Sequence, residues 1–204
     1  MPRLTRAESQ ARTRDLLTDT AQRLFLRDGY HATSLDKVAE AAGFSKGAVY
    51  SNFRNKDELC LVVLDRLYAE RITEIVRAFA AGTLEDRFRA FEEYAEGMLG
   101  DAPRTQFEVE FALQARQNRE LQADLGRRDA LVVSALEQLV QSQVYEFGLT
   151  PLLPARELAR TLLSLGIGLG VQRFVVQDVL PVRVLTDTLR VLLGIRRESL
   201  RSQA

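Results

Sequence analysis

The sequence predicts an all-α fold of about nine helices. Two observations carry that expectation. Apolar residues recur at three- and four-residue spacing almost throughout, with no sustained alternation to mark a strand. Helix starts and stops fall between these runs as Ser, Thr, Asn, Gly and Pro signals. At 204 residues, with 46% apolar and 27% charged, the chain can bury a sizeable core and matches no disordered or collagen-like composition.

The first helix is expected from about Arg6 to Asp28, on a stripe of Leu17, Ala21, Leu24 and Phe25, with Gly29 ending it. Thr33 to Asp36 reads as a capping-box-like start, with Thr33 as N-cap and Asp36 three residues on. A short helix then turns Leu35, Val38, Ala39 and Ala42 inward, and Gly43 stops it. Ser45 caps a second short helix, to about Asn52 or Phe53, which buries Val49 and Phe53. Asn55, with Glu58 three residues on, opens a long helix to about Ala80, striped by Leu61, Leu64, Tyr68, Ile72, Ile75 and Phe79.

The later elements follow the same logic. Thr83 caps a helix carrying Leu84, Phe88, Phe91, Ala95 and Met98, and Gly100 to Pro103 breaks it. Phe107, Phe111 and Leu113 mark the next helix, ending near Asn118, and a long periodic stretch runs from Leu121 to Phe147. Gly148 to Pro154 is a loop, and Pro154 opens a helix to about Asp178. Pro181 opens the last helix and Gly194 closes it, leaving a polar tail from Arg196.

Composition excludes several classes of protein. A single cysteine, Cys60, makes a disulfide scaffold impossible and fits a reducing compartment. One histidine, His31, and no Ser-His-Asp spacing leave no catalytic nucleophile, so no catalytic residue and no enzyme is expected. Metal-ligand clusters are absent from the sequence, and no cofactor or metal is expected. Gly166 to Gly170 follows no strand and lacks the dinucleotide spacing, and reads as a close helix contact. The most apolar window, Leu162 to Leu180, is broken by Gln172, Arg173, Gln177 and Asp178, so no membrane span, and a cytoplasmic chain, are expected.

A zero net charge conceals a split. Residues 1–56 carry ten Lys and Arg against six Asp and Glu, whereas residues 57–204 carry 18 against 22. Within the basic part, two short helices joined by a tight Gly turn describe a helix-turn-helix. Its second helix must bury one side and offer the other to a major groove about 12 Å wide. Val49 and Phe53 form the buried side, and Lys46, Gly47, Ala48, Tyr50, Ser51 and Asn52 the outer one. Small residues let the backbone come close, Lys and Tyr suit phosphates, and Ser and Asn suit phosphates or base edges. Lys56, in the first turn of the following helix, adds a cation beside a positive helix end.

The run from Tyr30 through Gly43-Phe44-Ser45-Lys46-Gly47-Ala48-Val49-Tyr50 to Leu59 resembles the DNA-binding signature of TetR-type transcriptional regulators. Leu16-Leu17, Ala21, Leu24-Phe25 and Gly29-Tyr30 match that family's first helix, so the likeness spans about residues 10–70. It departs at Ser51, where the family often has an aromatic residue or His, and at Asn52, where His is common.

The resemblance implies a homodimer that sets two recognition helices into successive major grooves of double-stranded DNA at a palindromic operator. By position it carries DNA contacts onto Thr33, Ser34, Ser45, Lys46, Gly47, Ala48, Tyr50, Ser51, Asn52 and Lys56. It implies a DNA-binding domain over residues 1–55 and a ligand-binding and dimerisation domain over 56–200. The last two helices would form the dimer interface through Leu162, Leu169, Phe174, Leu185, Leu189 and Leu192; the alternative for these residues is the chain's own core, and some of both is expected. Repression, relieved by a small and mostly apolar effector, is the implied mode of action.

A pocket for that effector would lie among the middle helices. Its candidates are Phe88, Phe91, Tyr94, Phe107, Phe111, Gln114, Gln138, Gln141, Tyr145 and Arg173, aromatics with a few polar groups. The competing reading is a helical carrier or sensor of apolar molecules with no operator of its own.

Overall fold

Nine α-helices follow one another among the described residues, with no strand between them. The computed structural model describes residues 5–176 and 181–195. The helices are α1 (Arg6–Ala32), α2 (Leu35–Ala42), α3 (Lys46–Asn52), α4 (Lys56–Ala78), α5 (Leu84–Leu99), α6 (Ala102–Ala115), α7 (Arg119–Phe147), α8 (Ala155–Val175) and α9 (Arg183–Leu192). The expected end of the eighth helix at Asp178 and the tail from Arg196 lie outside the described residues.

Several starts are capped as the sequence predicts. The Asn55 side-chain oxygen accepts from the Glu58 amide at 2.8 Å. Thr83 and Asp86 form a reciprocal capping box at the start of α5. The start of α2 differs by one residue. Ser34, not Thr33, is its N-cap, accepting from the Lys37 amide at 3.2 Å. The cause lies upstream. Gly29 does break α1, with φ 82° and ψ 173°, but the chain resumes helical turns to Ala32. Thr33 is thereby drawn into closing α1: its amide donates to the Tyr30 carbonyl and its hydroxyl to the Gly29 carbonyl at 2.9 Å.

The chain divides into two compact units. The first comprises residues up to Tyr68 together with Pro103–Leu125, and so takes in α6 as well as the N-terminal helices. Its core holds Leu17, Phe25, Val38, Val49, Phe53, Leu64, Phe107 and Phe111. The ring of Phe107 stacks on Phe25 at 5.0 Å, and Phe111 lies 5.2 Å from Tyr30. These aromatic pairs explain why the unit takes in α6, which supplies two of its largest buried side chains.

The second unit comprises Ala69–Ala102 and the residues from Gly126 onward. Its core holds Ile75, Phe79, Phe88, Phe91, Leu158, Leu169, Leu185 and Leu189. Within it α5 packs on α8 and α9, and α8 packs on α9. Among the described residues no helix is long and apolar enough to cross a membrane.

Candidate nucleic-acid interface

The turn between α2 and α3 is a Schellman closure. Gly43 sits at φ 71°, a region that a Cβ disfavours. Its amide donates to the Glu40 carbonyl, and the next amide, of Phe44, donates to the Ala39 carbonyl at 2.9 Å. The chain reverses there, and the Ser45 hydroxyl caps α3 by accepting from the Ala48 amide at 3.2 Å.

α3 is two-sided, as its sequence predicts. Val49 and, just past its end, Phe53 are buried, at 0% and 1% exposure, whereas Tyr50 is 55% exposed. Ser45, Lys46, Gly47 and Ser51 are exposed, and Ala48 and Asn52 are half-buried. Gly47 needs no explanation from inside the chain. A Cβ there would meet only the Ser45 hydroxyl, at 3.8 Å. Glycine in a helix costs up to about 1 kcal/mol relative to Ala, so the residue is small without any internal packing demand.

The polar groups of this face are largely turned back on the chain. The Ser51 hydroxyl and the Asn52 amide both donate to the Ala48 carbonyl, at 2.9 and 2.8 Å. The other Asn52 amide atom, its oxygen, is buried with no hydrogen-bond partner. Lys46 reaches back to Asp36 of α2, and that hydrogen bond, with the carboxylate's charge, raises the lysine's pKa. Such an exposed pair is weak and exchanges readily for another anion.

Ser34 and Ser45 are exposed, and capping uses only their acceptor capacity, so each hydroxyl proton remains available to a phosphate oxygen. Two other sequence candidates are placed differently. Thr33 is 1% exposed and its hydroxyl proton is already donated to Gly29. Lys56 is turned inward: its ammonium donates to the Tyr30 carbonyl at 3.0 Å and lies 3.9 Å from the centre of the Tyr30 ring. Burial pushes its pKa below the usual lysine value despite the neighbouring Asp57. Tyr30 is held equally firmly: burial first, then its hydrogen bond to the Asp57 carboxylate, raises its pKa.

Arg14 is a positioning residue that periodicity gave no reason to single out. Its guanidinium donates to the Asn52 carbonyl at the end of α3 and lies 4.2 Å from the centre of the Phe53 ring. A cation at a helix C-terminus is favourable through the dipole as well as the hydrogen bond. The pairing spans 38 positions of sequence, and no local signal announces it.

The expected effector residues are distributed over both units. Phe107 and Phe111 lie in the core of the first unit, and Phe88 and Phe91 in that of the second. Tyr94 packs against the second core, Gln114 is half-buried, and Gln138 and Gln141 are exposed. Tyr145 is 91% exposed, and Arg173 pairs with Glu96 at 3.0 Å. The spacing that marks these aromatics as inward is the same for any core, which is why it could not assign them to one pocket.

The expected interface residues are also divided. Leu169, Leu185 and Leu189 are buried within the second unit, and Leu162 and Leu192 pack partly against it. Phe174 remains 43% exposed, and Ile167, Val175 and Val191 are each more than half exposed. A groove of about 180 Å³ runs between α8 and α9, lined in part by Leu165, Gly168, Gln172 and Val184. Nothing lies within 4 Å of a Cβ built on Gly166 or Gly168. Cys60 is buried, and among the described residues no group of three His, Cys, Asp or Glu side chains could hold a metal.

A two-sided helix offered after a tight glycine turn defines a helix-turn-helix regulator. Known proteins agree. Residues 17–63 match the family described as bacterial regulatory proteins, tetR family. The chain is 23% identical over 170 residues to YfiR of Bacillus subtilis, an uncharacterized HTH-type transcriptional regulator, covering 82% of each chain. It is 41% identical over 68 residues to the HTH-type transcriptional regulator TtgR of Pseudomonas putida, covering 33% of this chain and 32% of TtgR. Relatives named as repressors and one named as an activator both occur. The fold superimposes on the reduced form of Escherichia coli NemR with a TM-score of 0.71 at 19% identity, covering 89% of this chain and 97% of that one. Residues 17–63 thus carry the DNA-binding region of the tetR family of bacterial regulatory proteins, and the chain as a whole has the fold of solved proteins described as TetR-family regulators.

Proposed function

We propose that the chain acts as a homodimeric repressor that reads a palindromic operator with α3 and is released by a small, mostly apolar effector. The observation that carries this is the division of α3, with Val49 and Phe53 buried and Lys46, Gly47, Tyr50 and Ser51 outward. The contact set is Ser34, Ser45, Lys46, Gly47, Ala48, Tyr50, Ser51 and Asn52. Thr33 and Lys56 act from within, holding the end of α1. In the proposed division of labour, the N-terminal helices bind DNA and the remainder dimerises and senses.

The dimer reading is supported by the open glycines of α8 and by the exposed Ile167, Phe174, Val175 and Val191. A second copy of this face would cover apolar surface that one chain leaves in water. Two recognition helices would then meet half-sites about 34 Å apart. The effector reading rests on the aromatic rings of Phe79, Phe88 and Phe91, which would meet a mostly apolar molecule. The relatives are named as transcriptional regulators.

Selection from a random DNA pool with the purified protein, at near-physiological salt and with excess competitor, tests the reading. Recovery of a palindromic sequence whose affinity falls steeply with salt supports it. Lys46→Ala and Tyr50→Ala should each weaken that binding with folding and dimerisation intact. Binding of apolar ligands with no sequence recovered would favour the carrier reading instead.

A further inference from the structure

The break in α1 at Gly29 leaves a structural debt. The helical turn that resumes after it has amides with no carbonyl one turn back, as at any helix start. In this chain the acceptor comes from a distant element. The Glu110 carboxylate of α6 accepts from the His31 amide at 3.2 Å, across 79 positions of sequence. The Gln106 side-chain amide, one turn earlier on α6, donates to the same carboxylate at 2.7 Å and holds it in place. Burial opposes the charge, but the Gln106 donor and the His31 and Tyr30 amides hold the carboxyl below its usual pKa.

Glycine at 29 fits this arrangement twice over. Its φ is positive, and a Cβ there would stand 2.7 and 2.9 Å from the two Glu110 oxygens. The carboxylate therefore occupies the space a side chain would fill. The segment it caps leads directly into Ser34 and α2, and α2 packs on α3. Tyr30, inside the capped turn, also lies against Phe111 of α6 and bonds to Asp57 of α4.

The geometry points to Glu110 as a positioning residue for DNA binding: from α6 it caps the broken end of α1 and so fixes where α2 and α3 stand. This inference rests on the DNA-reading role of α3. Glu110 contacts no DNA itself. Removing it loosens the Tyr30–Ser34 connection and the placement of α3, while the chemistry of every side chain on the outer face of α3 is unaltered.

The test uses the full chain, as wild type, Glu110→Ala and Glu110→Gln, with the duplex that wild type recovers from a random pool. Glutamine keeps the shape and one acceptor oxygen. In Glu110→Ala, amide exchange at Tyr30, His31 and Val49 should speed at least tenfold, and duplex affinity should fall about tenfold. Glu110→Gln should lie between Glu110→Ala and wild type in both. Exchange at Val49 and affinity both within twofold of wild type in Glu110→Ala would overturn the inference, as would faster exchange confined to His31 with affinity unchanged. If Glu110→Ala does not fold, Glu110→Gln decides by the same two readouts. If wild type recovers no duplex, the proposed function fails, and exchange at Val49 alone decides whether Glu110 fixes α3.

Discussion

α3 of the first unit and the helices of the second place their polar side chains in opposite ways. In the first, the polar side chains of α3 sit on an outer face above Val49 and Phe53, and their hydrogen bonds are short-range ones to nearby carbonyls and caps. In the second, polar groups are turned into the core. Arg87 is 4% exposed, donates to Gln143 at 2.7 Å and to Glu146, and lies over the ring of Phe147. Thr186, fully buried, donates to Glu92 at 2.9 Å. Outward groups with weak internal partners can exchange them for a ligand at little cost, whereas buried networks are costly to disturb. The first unit thus presents an α3 face, and the second ties its helices together from within.

Substitutions in the two units can break or sharpen that contrast. The largest effect is expected at the base of α3. Phe53→Ala should destabilise the protein by about 3–5 kcal/mol in urea unfolding, and duplex binding should be lost with it. In the second unit, Arg87→Ala leaves the Gln143 amide oxygen without its donor and should cost about 2 kcal/mol. Calorimetry at several protein concentrations would show whether dimerisation changes with it. Tyr50→Ala should leave the unfolding midpoint unchanged and weaken duplex binding about tenfold, or ~1.4 kcal/mol. An equal loss of stability would mean that Tyr50 supports the fold rather than the face.

Smaller effects sharpen the contrast further. The Glu110 carboxylate is held below its usual value of 4.5, so its contribution is present above that pH and is lost as pH falls through the folded value. Wild type should exceed Glu110→Gln by about 1 kcal/mol at pH 6. The gap should shrink on acidification below pH 4.5, and a gap that widens would reverse the assignment. Gly47→Ala should gain roughly 0.5–1 kcal/mol of stability while weakening duplex binding. A gain in both would remove the reason offered for its small size.

Legibility in the sequence followed the range of each interaction. The inward pair Val49 and Phe53, the Gly43 turn and the caps at Asn55 and Thr83 are local, set by residues within one or two turns. The cap at the start of α2 slipped by one residue because the chain resumes a helical turn after Gly29, with Glu110 of α6 capping it. Phe107 and Phe111 show the same limit. Their four-residue spacing says that both are buried, but only the fold says that they pack against Phe25 and Tyr30. Arg14 at the end of α3 and Arg87 beneath α7 find partners 38 and more positions away, with no local trace.

The most direct test of the central claim is a footprint of the purified protein on the duplex it selects from random DNA, with Tyr50→Ala in parallel. Protection of two half-sites about 34 Å apart, in successive major grooves, is expected for wild type and should be lost or much weakened in the variant. Protection unchanged by Tyr50→Ala and Lys46→Ala, or none at any salt concentration that keeps the protein folded, would contradict it.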